Sequence, residues 1–419
     1  MNSLIQNHYS FSELIDTITS LKPKIYLYGA GNGASSYSKI ALAALKYFNI
    51  KPEAFIDDDN GRAGQSLYNI PIIKLASLDS KDANSIIFIS SNYFDSINSN
   101  LINHGKNNNI YSLTELIKAT PLKAFDGIME YAEVQRRAHT HSTKLNRIQN
   151  INQKDNKLIL NALDIQVTEK CTMKCIDCSN LMQYYEKPIN SNEKNLNESI
   201  SNVLASIDHL DDARIIGGEP FLYSELESLL AILCRSEKVL RITIYSNATF
   251  VPKDAILNAL ANKKIQVEIT DYDSLSKNHD AMIASLKKFN ISYISHKPQN
   301  WTDSAKIGKN NKTPAELANM FEKCCVNDVL TLLHGKIYHC PFSANSHNLK
   351  AIPEKEYDYI DVNNNPTISN LRESIQKFYF GRKFLTACGY CKGRDYSQPQ
   401  VVPAIQTKLP LKYIPILKN

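Results

Sequence analysis

Short β-prone apolar runs alternate with amphipathic stretches along the first part of the chain. The run "KIYLYG" (24–29) leads into the helical pattern "SSYSKIALAALKYF" (35–48), and "KPEAFIDDD" (51–59) and "SIIFIS" (85–90) add two further strands. This alternation of strands and helices is typical of a parallel sheet covered by helices. We therefore predict an α/β Rossmann-like domain over residues 1–120.

A second strand–helix rhythm begins near residue 162. Five β-prone runs follow one another, namely "LDIQVT", "ARIIGG", "LRITIYS", "KIQVEIT" and "ISYIS", with amphipathic stretches such as "LNESISNVLASIDHL" and "SELESLLAIL" between them. Repeated βα units predict a partial (β/α)6 TIM-type barrel over residues 161–315. Ligands of such folds collect at the carboxyl ends of the strands, so the chemistry is expected there.

The remaining segments connect or extend these domains. Residues 121–160 predict a connecting helix with a solvated face that carries His139 and His141. Residues 316–396 predict a small cluster domain built on a β-hairpin and helices, described below. Residues 397–419 predict an extended tail that lies over the surface, with three prolines in its segment 401–419.

Charge and hydropathy exclude several classes of partner. Lys and Arg number 48 against 42 Asp and Glu, and the net charge of +6 is spread along the chain, so nucleic acid is not an expected partner. No apolar run approaches the roughly 18 residues that a transmembrane helix needs. The first residues lack the features of an export signal, so we expect a cytoplasmic location.

Cysteines are the most informative residue type in the chain. Eight of the nine fall into three groups, which are Cys171, Cys175 and Cys178; Cys324, Cys325 and Cys340; and Cys388 and Cys391. In a reducing compartment such clusters favour metal binding or catalysis over disulfides. The ninth, Cys234, lies in the apolar pattern "LESLLAILC" and is predicted to be a buried helical thiol.

A glycine-rich turn follows the first predicted strand. Gly29, Gly31 and Ala34 form a G-x-G-x-x-A pattern, and Asp57 ends the next strand, where dinucleotide-binding folds place an acid for a ribose hydroxyl. The same glycines also serve plain strand-to-helix packing. The run "AFIDDDNGRAGQSLYNIPII" resembles the amino-terminal domains of sugar-modifying acyltransferases and nucleotide-sugar dehydratases, which hold nucleotide sugars or are vestigial. The resemblance implies a nucleotide sugar or NAD as the ligand.

The loop after the first barrel strand carries three thiols. Cys171, Cys175 and Cys178 have the spacing C-x-x-x-C-x-x-C, which can hold three irons of a [4Fe–4S] cluster and leave the fourth iron open to a small molecule. The alternative is a zinc site completed by a distant residue, although the spacing differs from the C-x-x-C of zinc knuckles.

The motif "GGEP", Gly217 to Pro220, follows at the end of the next predicted strand. We expect its glycines to admit a ligand close to the backbone and Glu219 to meet a cationic amine. Together with the cysteine loop, this motif resembles the radical S-adenosylmethionine superfamily over residues 162–296. The resemblance implies that the reduced cluster cleaves S-adenosylmethionine and that the 5′-deoxyadenosyl radical takes a hydrogen atom from the substrate.

The resemblance also implies roles for further residues at strand ends. Gly217, Gly218, Glu219 and Pro220 would line the amine side of S-adenosylmethionine, Ser246 and Asn247 would meet its ribose, and Asp271 is a candidate at the following strand end. One position departs from the superfamily pattern, because Asp177 replaces the usual aromatic residue before the third cysteine. Tyr184 or Tyr185 could supply an aromatic surface instead.

A second cysteine set follows the barrel. The segment "CVNDVLTLLHGKIYHC" predicts a hairpin that brings Cys325 and Cys340 together, and "CGYC" adds Cys388 and Cys391. Four thiolates suffice to close a second [4Fe–4S] cluster. The pattern resembles the Twitch domain, a shortened relative of the SPASM domain. Cys324 is an alternative ligand, but Cys325 fits the C-x9-G-x4-C spacing; a four-cysteine zinc site also stays open.

These resemblances imply an enzyme that dehydrogenates or epimerises a sugar or sugar nucleotide. The auxiliary cluster would relay one electron, and an external one-electron reductant would supply the first cluster. His334, His339 and Lys336 are candidates to deprotonate a substrate hydroxyl. The alternatives are a peptide maturase of the same superfamily and a zinc-stabilised, non-catalytic nucleotide-binding protein.

Overall fold

The computed structural model describes most of the chain in two compact units, residues 1–156 and 157–419. The described residues are 5–6, 11–31, 37–59, 61–78, 84–91, 94–105, 109–129, 134, 137–138, 141, 145, 157–298, 300–394 and 399–413. Each unit is an α/β structure with a largely parallel sheet, as the strand–helix alternation predicts. In the described part of the chain, no helix combines the length and apolar character that a bilayer crossing requires.

The first unit is a seven-stranded sheet with helices on both faces. Its strands are β1 (Ile5–Gln6), β2 (Ile25–Tyr28), β3 (Ala54–Ile56), β4 (Ser66–Leu67), β5 (Ile70–Ile73), β6 (Ile86–Ile89) and β7 (Asn109–Ser112). Its helices are α1 (Phe11–Leu21), α2 (Tyr37–Tyr47), α3 (Phe94–Asn103) and α4 (Thr114–Ala119). The strand order is β1-β7-β6-β2-β3-β5-β4, and only β4 runs antiparallel to its neighbour. The order reverses between β2 and β6, where doubly wound sheets form their ligand crevice.

The sequence patterns explain this sheet. The central strands β2, β3 and β6 are apolar throughout, because both faces of the sheet are covered. One hydrophobic cluster joins the sheet to α1, α2 and α4, and a second joins it to α3. The expectation that His141 is exposed is wrong. His141 is fully buried, with its ring centroid 4.1 Å from that of Tyr37 and 4.8 Å from that of Phe94. His139 lies outside the described residues.

The second unit contains the predicted barrel strands in consecutive order. They are β8 (Ile159–Thr168), β9 (His209–Gly217), β10 (Val239–Ser246), β11 (Ile265–Thr270) and β12 (Tyr293–His296), and all are parallel. The helices between them are α5 (Glu193–Ser206), α6 (Leu226–Arg235), α7 (Asp254–Leu260) and α8 (His279–Lys288). Cys234 lies on α6, as predicted, but it is partly buried against the core and not fully buried.

The remaining elements of this unit are β13 (Trp301–Thr302), α9 (Pro314–Glu322), β14 (Val329–Leu333), β15 (Lys336–Tyr338), α10 (Pro341–Asn348), β16 (Ile360–Asp361), α11 (Ile368–Gly381) and β17 (Gln400–Val401). Of these, β14, β15 and β16 extend the same sheet, and β13 and β17 form a separate antiparallel pair. Strand β14 pairs in parallel with β8, so the sixth parallel strand comes from the hairpin and not from a βα unit after β12. Barrel and hairpin therefore share one sheet and one compact unit.

The hairpin turn has the sequence that its geometry requires. Leu333 pairs with Lys336 across His334 and Gly335, whose φ angles of +49° and +82° are both left-handed. Two-residue turns of this type match the twist of the flanking strands and favour glycine. After the hairpin, Cys340 caps α10 by accepting a hydrogen bond from Ser343 N at 3.3 Å, with Pro341 as the first helical residue.

Alternation along β8 defines an inner and an outer face. Leu163, Ile165 and Val167 belong to the core that packs on the helices. Asp164 and Gln166 point the opposite way and are nevertheless buried. The inner face of the barrel is therefore polar. Buried polar side chains on such a face are suited to binding a ligand, whereas packing alone would need only apolar side chains.

Candidate functional site

Four strand ends bring the predicted site residues to one edge of the barrel sheet. The cysteine loop follows β8, Gly217–Pro220 ends β9, Asn247 follows β10, and Asp271 follows β11. Because the four strands are parallel neighbours, their carboxyl ends lie side by side.

The three cysteines of the loop pack into one apolar cluster. Cys171, Cys175 and Cys178 lie there with Met173, Ala404 and other apolar side chains, and all three are free thiols. Burial raises the pKa of each thiol, that of Cys175 to about 11. The apolar surroundings alone therefore disfavour the thiolates, and a bound cation would be needed to stabilise them.

Two amide groups are directed at these sulfurs. Asn247 Nδ2 lies 3.6 Å from Cys171 Sγ, and Gln406 Nε2 donates to Cys175 Sγ at 3.2 Å. Gln406 belongs to the tail, which also pairs with the cysteine loop through Ile176 N to Ile405 O at 2.8 Å. Hydrogen bonds to sulfur are a usual means of tuning a thiolate-bound cluster.

The three thiols of the loop are the type of ligand that an iron–sulfur cluster requires. Within the described residues, no group of three or more His, Cys, Asp or Glu side chains is gathered closely enough to hold a metal ion. The three free thiols nevertheless share one cluster, and the sulfurs of Cys171 and Cys175 receive side-chain amide donors. Soft sulfur ligands of this number select iron–sulfur clusters or zinc over magnesium or calcium.

The two glycines of "GGEP" lie against the start of the cysteine loop. A Cβ on Gly217 would lie 2.5 Å from Thr168 O, and one on Gly218 would lie 2.1 Å from Lys170 O and 2.7 Å from Cys171 Cβ. Gly218 N donates to Thr168 O at 2.9 Å. In this structure the glycines admit the start of the cysteine loop, which fixes Cys171 beside the end of β9.

Glu219 connects this strand end to the next one. Its carboxylate is fully buried and accepts hydrogen bonds from Ser246 Oγ at 3.0 Å, Asn247 N at 2.9 Å and Phe221 N at 3.3 Å. Pro220 begins a short 3-10 helix that Glu219 caps. Ser246 and Asn247 therefore hold Glu219 in place, and Asn247 joins the carboxylate to Cys171.

Burial of Glu219 predicts a pH-dependent stability of the chain without bound S-adenosylmethionine. Desolvation raises the pKa of Glu219 from 4.5 to about 7 despite the three donors. The folded chain therefore holds this proton more tightly than the unfolded chain, and the free energy of unfolding falls as pH rises from 4.5 toward 7. The expected fall is roughly 3 kcal/mol.

Chemical denaturation at several pH values measures this effect. Glu219→Gln should remove most of the fall, whereas Glu227→Gln, an exposed position on α6, should keep it. Equal pH dependence in wild type and Glu219→Gln would show that the buried carboxylate does not titrate in this range.

Asp271 and the tyrosines occupy surroundings that the sequence did not reveal. Asp271 pairs with Lys297 Nζ at 2.8 Å, and this hydrogen bond lowers the pKa of Asp271. Tyr184 and Tyr185 are buried, and Tyr185 donates to Asn345 Oδ1 at 2.7 Å.

The aromatic side chains beside the three cysteines are Tyr272 and Trp301, whose rings meet edge to face. Asp177, at the usually aromatic position, lies 3.7 Å from Lys306 Nζ. Tyr272 and Trp301, rather than Tyr184 or Tyr185, therefore offer an aromatic surface near the loop.

The three candidates for proton transfer lie in different places. His334 follows β14, and its Nε2 is 3.0 Å from Oε1 of the buried Glu169, which follows β8. His339 is buried beside the rings of Phe321 and Phe378.

Lys336 pairs with Glu354 at 3.3 Å, and its Nζ lies 3.8 Å from the centroid of the Tyr359 ring. Of the three candidates, His334 alone follows the carboxyl end of a parallel strand. Its partner Glu169 was not among the predicted site residues.

The second cysteine set surrounds an apolar cavity. Its wall contains Cys324, Cys340, Cys388 and Cys391, with apolar side chains that include Phe321, Phe342 and Leu385. Burial raises the pKa of Cys324 and of Cys388 to about 12, and it also raises the pKa of Cys340 well above its usual value. Four thiols around one cavity fit a fully ligated cluster.

The preference for Cys325 over Cys324 does not agree with this cavity. Cys324 lines it and Cys325 does not, although both pack against Ala162, Val326 and Val329. The backbone N of Cys325 donates to Arg394 O at 3.2 Å. The spacing rule could not separate two adjacent cysteines, because the choice depends on how the backbone turns before β14.

A pair of single substitutions tests this reassignment. We expect Cys324→Ser to lose the second cluster and Cys325→Ser to retain it. Iron and acid-labile sulfide per chain, measured after anaerobic purification, should fall by about half in the first variant and stay at the wild-type level in the second. The reverse result would restore Cys325 as the ligand.

The glycine turn of the first unit is shaped by its own backbone contacts. Gly29 has φ +118°, and a Cβ there would lie 2.8 Å from Ser90 O at the end of β6. Asp57 Oδ2 accepts a hydrogen bond from Ala30 N at 2.9 Å. Gly31 O accepts one from Ser38 Oγ at 2.8 Å, and Ala34 lies outside the described residues. Nucleotide binding at this turn stays a prediction.

Comparisons with known proteins give structural neighbours only. No protein-family model and no curated protein matches the chain. Among solved structures, BtrN in complex with AdoMet and 2-DOIA is 18% identical with a TM-score of 0.34, covering 58% of this chain and 98% of BtrN. Native anSMEcpe with bound AdoMet is 14% identical with a TM-score of 0.36, covering 58% and 93%. Streptococcus suis SuiB bound to precursor peptide SuiA is 17% identical with a TM-score of 0.29, covering 60% and 53%.

The structures of BtrN and anSMEcpe have AdoMet bound, and the resemblance of this chain to the radical S-adenosylmethionine superfamily stays a prediction. The chain spans 42% and 59% of two other anSMEcpe structures. Because identities and TM-scores are this low, the likeness carries no argument about activity or substrate. Those questions depend on the residues described above.

Proposed function

We propose that the chain is a radical S-adenosylmethionine enzyme with a second, Twitch-like cluster, acting on a sugar or sugar nucleotide by dehydrogenation or epimerisation. The observation that carries this proposal is the presence of two separate cysteine sets along one strand. Cys171, Cys175 and Cys178 follow the end of β8, and Ala162 of the same strand packs against Cys324, Cys325 and Cys340. A structural zinc site would need only one such set.

Each set would hold one [4Fe–4S] cluster. Cys171, Cys175 and Cys178 would bind the first and leave an iron for S-adenosylmethionine, and Cys324, Cys340, Cys388 and Cys391 would bind the second. When bound, these groups supply a radical that removes a hydrogen atom from the substrate and a centre that exchanges one electron. The buried Glu219 is suited to meet the cationic amine of S-adenosylmethionine, because an ammonium would compensate its desolvated charge.

The polar residues on the inner face of the barrel favour the binding of a polar substrate. Asp164 pairs with Arg214 across β8 and β9 at 2.5 Å, and Asp212 pairs with Arg241 across β9 and β10 at 2.5 Å. Within the described structure, Asp164 Oδ2 and Thr331 Oγ1 are buried without a hydrogen-bond partner, and the two residues are register neighbours on β8 and β14. Buried polar atoms without partners favour a ligand with several hydroxyl or amino groups.

His334 is the group best placed to accept a substrate proton. Glu169 is buried and holds His334 Nε2 at 3.0 Å, and Asn348 Nδ2 donates to the same carboxylate oxygen at 2.7 Å. A carboxylate at Nε2 fixes the tautomer and leaves Nδ1 to accept a proton. This arrangement suits removal of a hydroxyl proton during oxidation of an alcohol.

A substrate screen tests the proposed function. The anaerobically reconstituted, reduced protein is incubated with S-adenosylmethionine and with sugars, sugar nucleotides or short peptides, and 5′-deoxyadenosine is quantified. We expect release to rise above the substrate-free level with a sugar or sugar nucleotide. A rise with peptides alone would identify a peptide maturase instead, and purified protein containing zinc without sulfide would identify a non-catalytic scaffold.

A further inference from the structure

One cation lies in the wall of the cysteine-lined cavity of the second unit. Arg394 lines this cavity together with Cys324, Cys340, Cys388 and Cys391. It follows the last cysteine by three residues, and its carbonyl accepts a hydrogen bond from Cys325 N at 3.2 Å. The backbone at 325 and 394 is thus tied together, which holds the arginine at the cavity.

The charge of Arg394 has no carboxylate partner among the residues that the structure describes. The charge of Arg394 opposes the burial-driven rise in the pKa of Asp164, but that carboxylate pairs through Oδ1 with Arg214 at 2.5 Å. A desolvated guanidinium without a counter-ion is costly, so the cavity is built for an anionic occupant.

Electrostatics around the cavity agree with this geometry. Burial lowers the pKa of Arg394, but the thiols of Cys325, Cys324, Cys340 and Cys391 outweigh burial and raise it. The guanidinium in turn opposes the burial-driven rise in the pKa of Cys391 and, from the other set, of Cys178. Arg394 therefore acts on both cysteine sets.

We propose that Arg394 is the counter-charge of the second iron–sulfur cluster and raises its midpoint reduction potential. This inference rests on the proposed function, because it requires a cluster in the cavity. Reduction adds one negative charge to the cluster, and a cation held nearby in a low-dielectric wall stabilises the reduced form more than the oxidised form. The cluster would thereby become a better acceptor for the electron of the substrate radical, which loses one electron as the cluster gains it.

A redox titration of a single-cluster protein tests the proposal. In the Cys171→Ala, Cys175→Ala, Cys178→Ala background only the second cluster contributes a signal, and its midpoint potential is followed by electron paramagnetic resonance. We expect Arg394→Gln to shift the midpoint to a more negative potential and Arg394→Lys to shift it less. Lys392→Gln is the matched control, because this exposed cation pairs with Asp303, and we expect no shift.

Iron and sulfide content separates the possible failures. If the parent background holds no iron and sulfide, the proposed function fails and the inference fails with it. If Arg394→Gln keeps its cluster and its midpoint equals that of the parent or of Lys392→Gln, the inference alone is wrong. Loss of iron in Arg394→Gln with retention in Arg394→Lys supports a requirement for the charge, and loss in both variants shows a structural role of the guanidinium and overturns the proposal.

Discussion

Replacing Cys171, Cys175 and Cys178 together with alanine is expected to abolish cleavage of S-adenosylmethionine. The three thiols share one cluster at the strand-end edge, so no other described cysteine is placed to substitute for them. Formation of 5′-deoxyadenosine should fall to the level of a protein-free control. Iron should fall from about eight to about four per chain, since the second cysteine set is untouched.

Cys234→Ala is the matched control for this substitution. Its thiol lies on α6 and packs against the hydrophobic core, apart from both cysteine sets. This variant should keep the wild-type iron content and the wild-type rate of 5′-deoxyadenosine formation. Cleavage that persists in the triple variant would mean that the loop does not hold the cluster at which S-adenosylmethionine reacts.

A single methyl group at Gly218 is expected to disable the first site while leaving the second intact. The added Cβ would lie 2.1 Å from Lys170 O and 2.7 Å from Cys171 Cβ, and both are fixed parts of the cysteine loop. The backbone must move to relieve this overlap, which displaces Cys171 from its neighbours. We expect Gly218→Ala to reduce 5′-deoxyadenosine formation by at least about 100-fold, because displacements of about 1 Å have effects of this size.

Gly308→Ala controls for the general effect of adding a methyl group. No atom lies within 4 Å of a Cβ at this position, so its activity and iron content should match those of wild type. In Gly218→Ala, iron should fall toward that of the triple cysteine variant, while the midpoint potential of the second cluster stays unchanged. Wild-type activity in Gly218→Ala would show that the cysteine loop tolerates movement at this contact.

The sequence predicts the strands and their end residues well because each depends on local patterns. Apolar runs bounded by glycine or polar residues locate β8 to β12, and parallel order then places Cys171, Glu219, Asn247 and Asp271 at one edge. The hairpin of β14 and β15 follows from the sequence His334–Gly335 in the same way. These inferences need only short-range periodicity and turn chemistry.

Contacts between distant segments could not be predicted in this way. Gln406 reaches Cys175 across 231 positions, and Glu169 meets His334 across 165 positions. Both pairings depend on how the tail and the hairpin pack on the barrel, which no local pattern encodes. A glutamine in a proline-containing tail and a glutamate after a strand carry no distinctive signal in one sequence.

The glycines of "GGEP" and the adjacent cysteines show a second limit. A motif indicates that glycine is needed at 217 and 218, but not whether a ligand or the chain itself fills the space; here Lys170 O and Thr168 O fill it. Similarly, Cys324 and Cys325 are chemically identical, and only the three-dimensional turn before β14 decides which thiol faces the cavity.

The most direct measurement is the electron paramagnetic resonance spectrum of the reconstituted, reduced protein before and after addition of S-adenosylmethionine. If an iron held by Cys171, Cys175 and Cys178 is open, the cofactor binds to it, and the spectrum of that cluster changes while that of the second cluster does not. A spectrum that is identical with and without S-adenosylmethionine, in protein that contains the full complement of iron and sulfide, would contradict the account.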